Sequence, residues 1–372
     1  MKRRNLTISK CIALFVIGSL AVSSCKKDKD EEPTPTTPTT GYTVPATYNF
    51  TNVSYSGQTT RIKMLDEISA YMATANTSGT VLDGLKMKDM YANVNNQFTD
   101  TSLNTSGKQL KSKTYLLDQA LFDAYFDTLA TQSVSVVAGT NGTAGVVVST
   151  TDPTKKYLQG ANGIEYAQLI KKGLTGAVFY YQAMEVYLAN LSVDDNTTVV
   201  ALEGTAMEHH FDEAFGYAGL PIDFPTNLTG LKYWGDYCNK MNPLMGTNAT
   251  FMNAWLSGRA AISNDDYPTR DAKVTIIRQQ WEKIIAAAVI YELNRAKANI
   301  ADDAIRNHYV SEAIGFIMAL KYNSTKTISN ADLTQAMNNI GYNIYNVSVA
   351  DIDATRNLIS TVYGLDSVKD TL

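Results

Sequence analysis

The chain is poor in the residues that staple or arm a small protein. Its 372 residues include only three cysteines and three histidines. Cys11 falls inside an N-terminal leader and Cys25 at its end, which leaves Cys238 as the one thiol of the body. A lone thiol excludes an internal disulfide framework. A nucleophilic Cys238 would need a histidine beside it, so a buried, inert thiol is the expectation. Formal net charge is −4, with no basic block beyond the leader, which argues against nucleic acid as a partner. No repeat of fixed period is present, against a solenoid. Familiar chemical signatures are missing too. There are no two histidines four apart around a glutamate, and no Glu-x-x-His pair of the di-iron bundles, since Ala206 and Met207 stand in the way. The glycine-rich run 139–145 lacks the helix start and lysine of a phosphate cradle and reads as a turn. No catalytic residue is assigned, and the balance leans away from an enzyme.

What is present begins with a leader. Met1-Lys2-Arg3-Arg4 is basic, residues 12–22 are apolar, and Val22-Ser23-Ser24 precede Cys25. The apolar run is shorter than the roughly 20 residues that span a bilayer, so residues 1–24 are expected to be a cleaved signal peptide. Small residues before a cysteine resemble the lipobox of bacterial lipoproteins. That resemblance implies lipidation of Cys25, palmitate-type acylation and a chain anchored to the outer membrane without spanning it. Residues 25–45 then form a tether rich in Pro and Thr. Its opening charges, Lys26 to Glu32, read equally as a surface-export signal or as a solvated linker, so a periplasmic and a surface-exposed location both stand.

Residues 46–372 have the apolar periodicity of amphipathic helices, in windows 61–75, 110–129, 163–191, 198–217, 266–298, 302–322, 329–340 and 351–362. Leu117 and Leu121 are placed on the inner face of the second, and Asp194-Asp195-Asn196 at the start of the fourth. Residues 133–137 and 145–149 flank a Gly139–Gly142 turn and are expected to pair as a small β-hairpin. Residues 48–50 and 53–55 suggest one more short strand. The fold class is all-α: a multi-helix bundle, or two packed bundles divided near 219–265, with a β-hairpin insertion. The segment 219–263 breaks the helical rhythm and is read as either a capping loop or part of a ligand surface.

Two clusters could carry function. Glu208-His209-His210-Phe211-Asp212-Glu213 holds two of the three histidines. On a helix His209 and Glu213 share a face and His210 is their near neighbour. Imidazole with carboxylate suits a transition-metal ion such as iron, so His209, His210 and Glu213 are the candidate metal ligands. A buried structural cluster is the competing reading, and His308 joins only if packing brings it there. The second cluster is Tyr233-Trp234. With 22 tyrosines in the chain, it suggests aromatic ligand binding, for example stacking on a sugar.

The body also resembles a family known as domain of unknown function 4856. Three strings carry the likeness: Tyr48-Asn49-Phe50, residues 163–174, and His209-His210-Phe211-Asp212-Glu213-Ala214-Phe215-Gly216-Tyr217. The family comprises Gram-negative lipoproteins of unknown activity, often met beside imelysin-like proteins. That company implies a part in iron or haem acquisition. A weaker similarity to imelysin-like proteins themselves rests on His210-x-x-Glu213, although Glu208 stands where their motif has glycine. The expectation is therefore a non-enzymatic binding lipoprotein of iron, other metal or haem uptake, with an outer-membrane transporter or an imelysin-like protein as partner. The alternative is a glycan- or peptide-binding surface lipoprotein that partners an outer-membrane transporter.

Overall fold

The longest helix, Tyr267–Ala298, is apolar on every side at its middle, where residues 284–290 lose all contact with solvent. A helix of that kind must be wrapped by others, and the fold is built around it. The computed structural model describes residues 41–372; the leader, most of the tether and Cys25 lie outside the described residues. Twelve α-helices follow in order: α1 (Ser56–Ala73), α2 (Gly84–Ala92), α3 (Thr101–Asn104), α4 (Gln119–Ser133), α5 (Tyr166–Leu174), α6 (Ala206–Ala218), α7 (Trp234–Met245), α8 (Thr247–Ser263), α9 (Tyr267–Ala298), α10 (Asp303–Ala319), α11 (Asn330–Ile340) and α12 (Val349–Tyr363). Helices α7, α8, α10 and α12 pack on α9, and α5 packs on α10. Residues Tyr42–Leu372 are one unit around a single core. No helix of the described residues is long and apolar enough to cross a membrane.

The fold is all-α, as the periodicity predicts, with one two-stranded sheet among the described residues. Several boundaries differ. Strand β1 (Gly145–Val148) pairs antiparallel with β2 (Lys156–Gln159), not with residues 133–137. Ser133 is instead the last residue of α4, its hydroxyl accepting from Leu82 N at 2.8 Å. The suggested strand at 48–55 is irregular, with one backbone bond from Tyr48 N to Ile222 O at 2.7 Å. The window 110–129 becomes α-helical only at Gln119, after short 3-10 turns at Lys111–Lys113 and Leu116–Asp118, and Leu117 faces solvent. The irregular segment 219–263 carries helices α7 and α8 after a loop that ends near Tyr233. Its Gly and Pro content hid them, because Pro243 and Gly246 mark the end of α7 rather than a continuous loop.

Helix α5 does not stop cleanly. Its backbone continues through two π-helical segments, Thr175–Tyr180 and Gln182–Tyr187. Gly173 and Gly176 let neighbours close on this stretch: a Cβ on Gly176 would stand 2.5 Å from the Ala319 Cβ. Widened turns of this kind are frequent at functional sites, and this one faces α6.

Candidate functional site

Helix α6 carries the histidine cluster, and its start is fixed by Thr205. The Thr205 hydroxyl accepts from Glu208 N at 3.1 Å, while the Glu208 carboxylate accepts from Thr205 N at 3.0 Å. This reciprocal capping box is written in the sequence as Thr205-x-x-Glu208. Asp194-Asp195-Asn196 is therefore not the side-chain N-cap of α6: the Asp195 carbonyl accepts from Met207 N at 3.1 Å, its carboxylate closes a turn by accepting from Thr197 N at 2.8 Å, and Asn196 donates to Ile262 O of α8 at 2.9 Å.

From that start, one face of α6 turns His209, Glu213 and Tyr217 toward α1 and the second π segment. His209 Nε2 lies 3.9 Å from Glu213 Oε2, both side chains partly exposed. Gln58 of α1 donates to Glu213 Oε1 at 2.7 Å and to the Tyr187 hydroxyl at 3.3 Å. Arg61 and Lys113 border the same space. Arg61 donates to Gln109 O at 2.9 Å; neither cation makes an ion pair among the described residues. Burial and the neighbouring Arg61 charge lower the Lys113 pKa, against the pull of Glu213. Burial pushes the Tyr187 and Tyr217 hydroxyls well above the usual range. Two polar atoms here, His209 Nδ1 and Gln182 Oε1, are buried without a hydrogen-bond partner among the described residues, and the Tyr217 hydroxyl lies beside Arg61. Unmet polar atoms are rare in native interiors and call for an explanation.

His210 goes elsewhere. Its Nδ1 pairs with Asp194 Oδ2 at 2.7 Å, and its ring centroid is 6.4 Å from that of His209. Among the described residues, no three His, Cys, Asp or Glu side chains are grouped so as to hold a metal ion. The histidine facing Glu213 is His209, four residues away, so the His-x-x-Glu spacing that resembled imelysin-like proteins does not describe a paired site.

The opposite face of α6 is structural. Asp212 is fully buried and accepts from Arg259 Nε at 2.8 Å and from the Tyr48 hydroxyl at 2.7 Å. Burial pushes Asp212 up to about 6 against the Arg259 charge. The Tyr48 ring stacks on Phe215 at 3.7 Å. The strings at 48–50 and 209–217 thus meet in space.

His308 belongs to another network, between α5, α7, α9 and α10. Its Nδ1 pairs with Glu165 Oε2 at 2.6 Å, its Nε2 lies 3.7 Å from Glu312 Oε1, and Tyr157 stacks on it at 4.3 Å. Lys172 sits 3.4 Å from Glu312 and donates to the Tyr237 hydroxyl at 2.9 Å, which in turn donates to Glu292 at 2.8 Å. Burial and the Glu312 charge raise Glu292 to about 7, whereas the Lys172 and His308 charges hold Glu312 down to about 2. Three carboxylates face Lys172, Arg295 and His308, so this network meets its own charge needs. Sequence reasoning missed it because it joins segments far apart in the chain; the local spacings of His308 with Glu312 and of Glu292 with Arg295 are the signals that could have hinted at it.

Tyr233 and Trp234 are not a ligand face. Trp234 is wholly buried, its Nε1 donating to Thr175 O at 3.1 Å. Tyr233 donates to Asp66 Oδ1 at 2.8 Å and packs edge-on against Phe179. The aromatic density reflects docking of α7 into the core. Cys238 is buried, with its thiol raised to about 12 by burial, as expected of an inert side chain.

These features characterise an all-α domain whose α1–α6 face brings His209 and Glu213 together beside Arg61 and Lys113. The chain belongs to the family of domain of unknown function 4856 (DUF4856), whose model matches residues 45–361. Neither the curated proteins nor the solved structures contain a match to it.

Proposed function

We propose that this chain is a cell-envelope lipoprotein, anchored through Cys25, that captures an anionic metal complex or haem at the α1–α6 face as a non-enzymatic component of metal uptake. The observation that carries the reading is the 3.9 Å gap between His209 Nε2 and Glu213 Oε2. It is too wide for a hydrogen bond, and side-chain closure by about half an ångström brings the pair to the separation of two ligands on one tetrahedral ion at about 2 Å each. Two protein ligands are too few for a self-sufficient site, so a cargo that brings its own ligands suits it better than a bare ion. Arg61 and Lys113, which make no ion pair among the described residues, would take the carboxylates of such a cargo. Supporting the location are the lipobox-like Val22-Ser23-Ser24-Cys25 and the tether after it. The partner in this reading is an outer-membrane transporter or an imelysin-like protein.

Calorimetric titration with ferric citrate, haemin and zinc chloride tests it. Binding of ferric citrate or haemin that weakens at least tenfold in Glu213→Gln supports the proposal; no heat from either, or binding of zinc alone, removes it.

A further inference from the structure

A second site lies on the far wall of the π-helical stretch. There Tyr115, Tyr181 and Tyr322 enclose one side of a cleft of about 690 Å³, within the size range of small-molecule sites. Their ring centroids are 5.2, 5.6 and 6.4 Å apart in edge-on contacts. Tyr322 is buried, while Tyr115 and Tyr181 are partly buried at the opening. Tyr115 is held there by a backbone bond from its N to Ala177 O at 2.9 Å.

Two carboxylates in the cleft are fixed by one oxygen each. Asp118 Oδ2 takes Lys321 Nζ at 2.6 Å and the Tyr322 hydroxyl. Glu185 Oε1 takes Arg278 Nη2 at 3.0 Å and Ser324 N at 2.9 Å. Their other oxygens, Asp118 Oδ1 and Glu185 Oε2, have no donor among the described residues and are not sealed in the interior. Lys326 completes the rim, without an ionic partner among the described residues.

We infer that this cleft binds an oligosaccharide. Pinned carboxylates with a free oxygen accept hydrogen bonds from hydroxyl groups without moving, and so at small ordering cost. Aromatic walls cover the apolar C–H faces of a sugar ring. A phosphorylated or otherwise anionic ligand would meet Asp118 and Glu185. The cleft also shares Lys321 and Asn330 with a neighbouring groove of about 430 Å³ that is lined in part by Tyr342, a residue 90% exposed. That continuity gives room for more than one ring and a terminal stacking platform.

The test is titration of the protein with cellohexaose, maltohexaose, xylohexaose, mannohexaose and chitohexaose, with tri-alanine as a peptide control. At least one saccharide is expected to bind, weakened tenfold or more in Tyr181→Ala and measurably in Lys326→Ala, but unchanged in His209→Ala. Lys326 lies outside the core, so its variant reports even if Tyr181→Ala fails to fold. No binding by any of the five, binding indifferent to Lys326→Ala, or binding of tri-alanine alone overturns the inference. Because His209 belongs to the other wall, this outcome is independent of metal binding.

Discussion

His209 and His210 are adjacent in the chain but serve different partners: His209 faces Glu213 across 3.9 Å, and His210 is bonded to Asp194 at 2.7 Å. Successive residues on a helix point about 100° apart, so adjacent histidines cannot share one small site without distortion. His210 ties α6 to the turn before it. His210→Ala should cost on the order of 1 kcal/mol of stability, one hydrogen bond's worth, and leave ligand binding intact; urea unfolding and titration of the same variant check both halves.

Gly216 sits where α1 crosses α6. A Cβ there would lie 2.7 Å from the Tyr55 Cβ and 3.0 Å from the Gln58 Cβ. Gly216→Ala should therefore push α1 outward, at a cost of about 1–3 kcal/mol. The same displacement draws Gln58 away from Glu213. Weaker ligand binding should accompany the lower unfolding midpoint.

Arg259 is the buried cation of the structural face, with no exposed side-chain area, and it serves Asp212 and Glu208 together. Arg259→Met leaves Asp212 buried without its countercharge, and such a loss typically costs about 3–5 kcal/mol. Adding Asp212→Leu should recover part of that, because the stranded charge goes with it. Chemical denaturation of the single and double variants measures the difference.

Stability should decline as pH rises from about 5 to 8. Glu292 is raised to about 7, so between the usual glutamate range and that value the folded state holds a proton that the unfolded chain releases. That binding difference favours the folded state at low pH and is lost as pH climbs through the window. His308, raised by Glu165 and the other facing carboxylates against its burial, acts in the same direction. Glu312 works oppositely, but only as pH falls below the ordinary glutamate range. Thermal melts at pH 5.5 and 8.0 should show the higher midpoint at 5.5, and Glu292→Gln should flatten the slope.

Helix periodicity was strong enough to reveal the all-α class and, within a few residues, α9, α10 and α11, because each opens on a side-chain cap: Asp266, Asp302 and Ser329. It failed where tertiary contacts decide. Leu117 looks inward by spacing but precedes the helix it was assigned to. Trp234 looked like a sugar platform because a loop was expected there, whereas α7 carries it into the core. Of the candidate site, the His209–Glu213 pairing was legible from helical spacing alone. Gln58, Arg61 and Lys113 were not, since they reach Glu213 only after α1 and residues 111–113 pack against α6. Tyr115, Tyr181 and Tyr322 were invisible for the same reason, being spread over three distant segments.

The most direct test of the central claim is crystallographic: grow crystals with ferric citrate or haemin and collect data at the iron absorption edge. An anomalous peak is expected about 2 Å from His209 Nε2, bridging toward Glu213, with the cargo's carboxylates against Arg61 or Lys113. A loaded crystal with no peak at that face, or with iron on His210 and Asp194 instead, would contradict it.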